Sequence, residues 1–236
     1  MTSSLGFVVG RHIANPSHVD LCFRAYTSIR SFYPDSQILI VDDGSRLVDP
    51  HAYDAKTHVV EAPSRGAGEF GLYAQYHATR PFERAVFLHD SMVIKRPLEL
   101  PEVPILFLWH FACWESLDVL RNDVEAFLGK LQNKDELQQT YVSRNWFGMF
   151  GCASAITWEC LNRVVDKFQL FRLLPDVNTR ERRCVMERVL GIASNHELDH
   201  RRPSLNGNIA TFPGAFRRNT LLTGQNFAMD KTWHGR

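Results

Sequence analysis

The sequence predicts an α/β protein with a mainly parallel central sheet flanked by helices, and three observations predict it. Four apolar residues, Ile38-Leu39-Ile40-Val41, run straight into Asp42-Asp43-Gly44-Ser45. An unbroken apolar run marks a strand covered on both faces, as central parallel strands are. A second run, residues 84–94, sets the polar trio His89, Asp90 and Ser91 between apolar stretches. Strand-like and helix-like segments alternate through the first ninety residues or so, the pattern of a layered α/β sheet. In such sheets ligands bind beyond the carboxyl ends of the strands. The two acidic strand ends, about fifty residues apart, therefore point to one nucleotide-and-metal pocket at a sheet edge.

Each element follows from its local pattern. Residues 5–9 form a short apolar strand that ends at Gly10-Arg11-His12, and Asn15-Pro16-Ser17 opens a helix. Leu21, Ala25, Ile29 and Phe32 recur at helical spacing, so 18–33 is amphipathic, and Tyr33-Pro34-Asp35 breaks it. Strands follow at 37–41 and 57–60. Ser64-Arg-Gly-Ala-Gly68 is a flexible turn before a helix over 69–79, and a strand covers 84–89. Beyond a short strand at 105–109, apolar residues at 117, 120, 124, 127, 128, 131 and 137 mark one amphipathic helix over 115–139, with Gly129 its weak point. The small, apolar stretch 147–156 reads as one strand with close backbone approach. Helices near 158–171 and 180–192 follow. From residue 203 onward the chain is rich in Gly, Asn and Pro, a tail that wraps the domain or orders on ligand binding.

Composition narrows the class. With 44% hydrophobic and 22% charged residues, the 236-residue chain is an ordinary globular sequence, read as a single domain over 1–236. A formal charge of +1 gives no long-range pull toward nucleic acid or membrane surfaces. Basic clusters at Arg180, Arg182 and Arg183, at Arg201 and Arg202, and at Arg217 and Arg218 are able to hold phosphate but also suit a solvated surface. Five cysteines, none in C-x-x-C spacing, argue against a disulfide framework or zinc ribbon and suit a reducing compartment. The start lacks a signal-peptide pattern, and no apolar run reaches the ~20 residues of a membrane span. A cytoplasmic protein is expected, its oligomeric state left open.

Three pieces in order carry a resemblance. They are Val8–Arg11 with the helix and Ile40-Val-Asp-Asp-Gly-Ser45, then the glycine-rich turn 64–68 leading into a helix, then Phe87-Leu-His-Asp-Ser-Met-Val-Ile94. Together they resemble the nucleotide-sugar-binding half of a GT-A-fold glycosyltransferase and are most similar to the inverting family 2 transferases. The match covers roughly residues 5–95, with weaker echoes to about 190. The resemblance implies a nucleotide-binding half over about 1–100 and an acceptor-binding half over about 101–236. It implies transfer of a hexose from a nucleotide sugar, UDP-linked by preference, to a hydroxyl of a glycan or other acceptor.

It also implies residue roles. Asp42, with Asp43, accepts hydrogen bonds from base or ribose. Arg65 meets the base, and Arg11 belongs to the same nucleotide site. The family's D-x-D element falls on His89-Asp90-Ser91, which has an acid only in the middle. Asp90, with His89 and with His200 from the tail, would hold Mn²⁺ or Mg²⁺ against the diphosphate. Lys95 and Arg96, or the later arginines, are the metal-free alternative. Glu187 is the candidate base that takes the acceptor proton. Trp109, His110 and Trp146 are candidate walls for sugar rings.

His196-Glu197-Leu198-Asp199-His200 competes with this reading, since H-E-x-x-H on a helix binds Zn²⁺ with the glutamate as base. Arg201-Arg202-Pro203 shortens any such helix, and His234 or Asp230 would have to serve as a third ligand. A zinc metallopeptidase is thus one alternative. A catalytically inactive nucleotide-sugar-binding module, with Ser91 standing where an acid is expected, is another. A dinucleotide site is weaker, because no G-x-G-x-x-G follows the first strand.

Overall fold

The computed structural model describes residues 4–115, 120–212, 220–224 and 227–233. The strands are β1 (Leu5–Arg11), β2 (Gln37–Asp42), β3 (Thr57–Glu61), β4 (Arg84–His89), β5 (Met92–Ile94), β6 (Ile105–Phe107), β7 (His110–Ala112), β8 (Phe147–Met149), β9 (Ser154–Thr157), β10 (Thr220–Leu222) and β11 (Met229–Trp233). The helices are α1 (Val19–Phe32), α2 (Glu69–Thr79), α3 (Arg121–Gly129), α4 (Lys134–Ser143), α5 (Trp158–Phe168) and α6 (Arg180–Ala193). Among them no helix is long and apolar enough to cross a membrane.

The central sheet runs β3-β2-β1-β4-β9-β6. The first four strands are mutually parallel, and β9 lies antiparallel between β4 and β6. This is the mixed α/β architecture with a mostly parallel sheet that the alternating pattern predicts. β2 shows why the apolar run is unbroken: residues 38–41 are all buried, since the strand has neighbours on both edges and cover on both faces. α1 turns Leu21, Cys22, Ala25, Ser28 and Ile29 inward at helical spacing and packs on β1 and β5. The Asn15 side chain accepts from the Ser17 N–H and caps the turn that leads into it.

Two segments divide where the sequence reads as continuous. The expected helix over 115–139 is two helices, α3 and α4, although residues 116–119 lie outside the described residues. Asn133 adopts a left-handed φ of 51°, which ends the first helical path and starts the second. The expected strand over 147–156 is likewise two, β8 and β9. Gly151 and Cys152 have φ values of 62° and 49° and fold the chain sharply between them. Periodicity does not reveal such a break, because both halves remain apolar. β8 pairs with β7, whereas β9 joins the central sheet.

The tail wraps back onto the body. β11 pairs antiparallel with β5, so Lys231 lies opposite Met92, and β10 adds the outer strand. The Thr232 N–H donates to the Ser91 carbonyl at 3.0 Å, which ties the end of the chain to the polar trio after β4.

Candidate functional site

The parallel register brings three loops to one rim. Gly10 lies opposite Val41 on one side and His89 on the other, and Arg11 opposite Asp42. The turns after β1, β2 and β4 therefore emerge side by side. They are stitched together: Asp43 N–H donates to the Arg11 carbonyl at 2.9 Å, and Asp90 N–H donates to the Gly10 carbonyl at 3.0 Å. His12 N–H reaches the Asp90 carboxylate at 3.3 Å.

These loops form one wall of a cavity of about 920 Å³. The opposite wall is α6, which turns Arg180, Arg183, Cys184, Glu187 and Arg188 into the space. Their spacing of three and four residues is that of one helix face. Arg11 comes from the end of β1, Arg46 and Arg65 from the loops, and Lys231 from β11. Seven cationic side chains thus line the cavity against four carboxylates, Asp43, Glu69, Asp90 and Glu187. Arg11 is itself paired with Asp42 and Asp49, which leaves six cations to four carboxylates, and a concave surface with that surplus attracts anions.

The two adjacent aspartates do different work. Asp42 turns away from the cavity. Its carboxylate accepts the Ser45 N–H at 2.7 Å and the Arg11 Nε at 2.6 Å, while the Arg11 Nη1 reaches Asp49 at 2.9 Å. Burial works to raise the Asp42 carboxyl, but the Ser45 and Arg11 bonds outweigh it and hold it below its ordinary value. Burial also opposes the Arg11 charge, yet Asp42 raises the guanidinium above its usual value. Asp43 faces the cavity and grips the glycine-rich turn, accepting the Gly66 N–H at 2.6 Å and the Gly68 N–H at 3.0 Å. Burial raises it despite those bonds. Arg65 lies across Gly44, where an added Cβ would stand 2.3 Å from its Nε.

Gly151 is the hub of the far end. Its N–H donates to the Glu187 carboxylate at 2.8 Å, and its carbonyl accepts from His89 Nε2 at 2.6 Å. Its positive φ suits glycine, and a Cβ there would lie 2.7 Å from the Lys231 Nζ and 2.8 Å from His89 Nε2. Tyr73 holds the loop beneath. It stacks on Phe87 with ring centroids 3.9 Å apart and donates to the Cys152 carbonyl at 2.7 Å.

The charges here shift one another. Desolvation raises Glu187 to about 7, against the pull of Arg188, the Gly151 N–H and Lys231. Desolvation, with the Lys231 ammonium, pushes His89 down to about 4. Its Nδ1 stands 3.4 Å from Glu69, whose carboxyl is held below its usual range by His89, Arg183 and Lys231 despite desolvation. A neutral imidazole, a carboxylate and a carboxyl poised near neutrality thus meet at one end of the cavity.

The donor set at this wall does not fit a resident divalent ion. His89 spends its Nε2 proton on the Gly151 carbonyl, and the Lys231 ammonium crowds the same few ångströms. Among the described residues, no group of three or more His, Cys, Asp or Glu side chains converges as metal ligands do. Asp90 and His89 line the cavity as expected positions, with the Lys231 ammonium near His89.

Other expected residues lie elsewhere. His200 is outside the cavity lining, its Nε2 on the Asn195 carbonyl at 3.2 Å and its ring against Phe147. The three expected sugar walls also lie outside the cavity lining. Trp109 is fully buried with its ring edge-on to Phe227, and Trp146 is buried beside Tyr141. His110 packs edge-on against Phe147 with its Nδ1 2.7 Å from Ser204 Oγ. Aromatic area is stabilised most by full burial, and here the core takes it. Lys95 pairs with Asp230 at 2.8 Å, outside the cavity. The H-E-x-x-H segment is not a helix: residues 195–197 form a 3₁₀ turn and Leu198 is extended, so the histidines do not stack one turn apart. Glu197 is held by Arg163 at 2.8 Å instead, and His234 lies outside the described residues.

Sequence reasoning missed Glu69, Arg188 and Lys231 and left Arg180 and Arg183 ambiguous. The helical period of residues 180, 183, 187 and 188 was the available signal. For Lys231 there was none, since its place depends on a long return of the chain.

No family model matches the chain, and none of the curated proteins matches it. Two crystal structures of the galactosyltransferase LgtC are similar to it, one in complex with donor and acceptor sugar analogs and the other of an active-site mutant. Each is 10% identical and spans 78% of this chain and 70% of its own, with TM-scores of 0.40 and 0.41.

Proposed function

We propose that this chain is a GT-A-like glycosyltransferase that moves a hexose from a nucleoside diphosphate sugar, UDP-linked by preference, to a hydroxyl of a glycan or other acceptor. One observation carries the reading. Asp43 and Asp90, just beyond the carboxyl ends of the parallel strands β2 and β4 that flank β1, open onto the same 920 Å³ cavity as Glu187 and the α6 arginines. That volume suits a nucleotide sugar, and the surplus of cations suits its diphosphate. The ordered motifs at 40–45, 64–68 and 87–94 support the same reading through their similarity to family 2 transferases. In this reading the whole chain acts as one unit, with the donor held largely by residues before about 100 and the acceptor by those after.

The chemistry is a displacement at the anomeric carbon. The acceptor oxygen bonds to that carbon as the bond to the diphosphate oxygen breaks, and the electron pair leaves with the diphosphate. The hydroxyl proton passes to the Glu187 carboxylate. A base near 7 is matched to that transfer at neutral pH. Asp43 works indirectly, by fixing the glycine-rich turn against which the nucleoside lies. Arg65, on that turn, meets the base.

The test is a thermal-shift screen of nucleotide sugars followed by turnover assays on each that binds. A bound donor raises the melting temperature with concentration as RT ln(1 + [L]/Kd). Transfer or hydrolysis of a nucleotide sugar supports the enzyme. Binding without turnover on any acceptor leaves a binding module. No shift with any nucleotide sugar overturns the reading.

A further inference from the structure

We infer that Lys231, delivered by the C-terminal strand, serves as the built-in counter-charge for the donor diphosphate, in the place where a divalent cation would otherwise sit. The inference rests on the donor reading above and adds to it the identity of the cation.

Three observations meet at this residue. The first is its placement. β11 is bonded to β5 directly after the His89-Asp90-Ser91 turn, with the Thr232 N–H on the Ser91 carbonyl at 3.0 Å. Alternation along the strand sends Lys231 inward and Asp230 outward to Lys95. The second is its burial. Lys231 is only 3% exposed, yet it lines the cavity, its ammonium 4.7 Å from the Phe150 ring centroid. The nearby Glu69 and Glu187 carboxylates, each drawn lower by Lys231, help keep the buried ammonium charged, and it presents that charge in the cavity wall. The third is the donor set. The triplet has one carboxylate where two would hold a metal, and the ammonium lies beside its histidine. A fixed cation in a partly dry cavity stabilises the charge that develops on a departing diphosphate without recruiting an ion from solution.

Arg183 completes the clamp. Its stem crosses Gly68, where a Cβ would stand 2.3 Å from Cδ, and its Nη1 reaches the Gly66 carbonyl at 3.3 Å. It therefore spans from the glycine turn toward Glu69, opposite the tail. The tail strand thus becomes part of the binding site rather than only a strap.

The test measures binding of UDP, GDP, ADP, pyrophosphate and uridine to the full chain by calorimetry, in EDTA and in excess MnCl₂ or MgCl₂. The expected result is diphosphate affinity within about threefold in the two conditions. Lys231→Met, which keeps the stem over Phe150, should weaken diphosphate binding at least tenfold and leave uridine binding unchanged where uridine binds. Diphosphate binding that appears only with a divalent ion overturns the inference even though the donor reading survives. An unchanged diphosphate affinity in Lys231→Met overturns it too. Pyrophosphate bound in EDTA with no nucleoside diphosphate bound sinks the donor reading but leaves the lysine site standing. No binding in either condition ends both. If Lys231→Met does not fold, the comparison of EDTA with MnCl₂ on the unaltered chain decides.

Discussion

The backbone N–H of Gly151 donates to the Glu187 carboxylate over 2.8 Å, fixing one oxygen of a group that desolvation raises to about 7. The second oxygen stands 3.4 Å from the Arg188 Nη1. A carboxylate held on one side and poised near neutrality is placed to accept a proton. Only its ionised form does so, so kcat/KM should fall about tenfold per pH unit below 7 and level off above it. Glu187→Gln keeps the shape and the Gly151 bond but removes the basicity, and should cost roughly 100- to 10,000-fold in turnover. A pH–rate profile flat through 7, or a Gln variant with full turnover, would take Glu187 out of the mechanism.

The same shift sets a stability window. Glu187 is raised from its ordinary 4.5 to about 7, so between these values the folded chain binds more protons than the unfolded one. Its contribution is full below pH 4.5 and is lost as pH rises through 7. His89 has the opposite sign: it is lowered from 6.5 to about 4, so its contribution is lost as pH falls through that range. From about pH 4.5 to 6.5 the two slopes oppose each other. Glu187→Gln should therefore leave a stability that rises with pH there, in the direction His89 sets. Denaturant midpoints across this range for both proteins check it; parallel curves would contradict it.

Asp43 gives a test of the glycine turn. Its two oxygens hold the Gly66 and Gly68 N–H groups at 2.6 and 3.0 Å. Asp43→Ala leaves both donors without that partner, at a cost of about 1–2 kcal/mol, and frees the turn that carries Arg65. Nucleotide affinity should fall together with the unfolding midpoint. A variant that binds nucleotide as tightly as the parent would separate the turn from the site.

How much was legible in the sequence depends on how local each signal is. β1, β2 and β4 and the helices α1, α2 and α6 follow from runs of 14 residues or fewer, because burial on one stripe or both faces writes itself into the order of side chains. Asp43, Asp90 and Glu187 were nameable because each sits at a predictable strand end or on a predictable helix. The division of roles between Asp42 and Asp43 was not, since it turns on which side of one peptide each carboxylate leaves the strand. The break at Gly151 was hidden because both flanking strands are apolar. Lys231 was hidden because β11 reaches the cavity from about 140 residues beyond its partner β5. The buried place of Trp109 and Trp146 was not legible, because an aromatic ring looks the same in sequence whether it lines a pocket or fills a core.

The H-E-x-x-H segment yields a negative result that is easily checked. With residues 195–197 in a 3₁₀ turn and Glu197 paired to Arg163, the chain should take up no zinc there. A strong chelator should leave the melting temperature unchanged, and Glu197→Ala should cost less than about 1 kcal/mol, the scale of an exposed ion pair. Stoichiometric zinc retained through dialysis, and lost in His196→Ala, would reverse this.

Gly191 sets helix propensity against packing. Replacing a mid-helix glycine by alanine stabilises an exposed helix by about 1 kcal/mol. Here α6 passes so close to β8 that a Cβ on Gly191 would stand 2.1 Å from the Phe147 carbonyl oxygen and 3.1 Å from the Gly148 Cα. Both are backbone atoms of a paired strand, so the helix must move instead. Overpacking of this kind typically costs about 1–3 kcal/mol, which outweighs the gain in propensity. Glu187 lies one turn earlier on α6, and its bond to Gly151 stretches as the helix withdraws. Gly191→Ala should therefore lower both stability and turnover, with the loss of turnover exceeding what the unfolded fraction explains. Equal or greater stability would show that α6 and β8 are not held this closely.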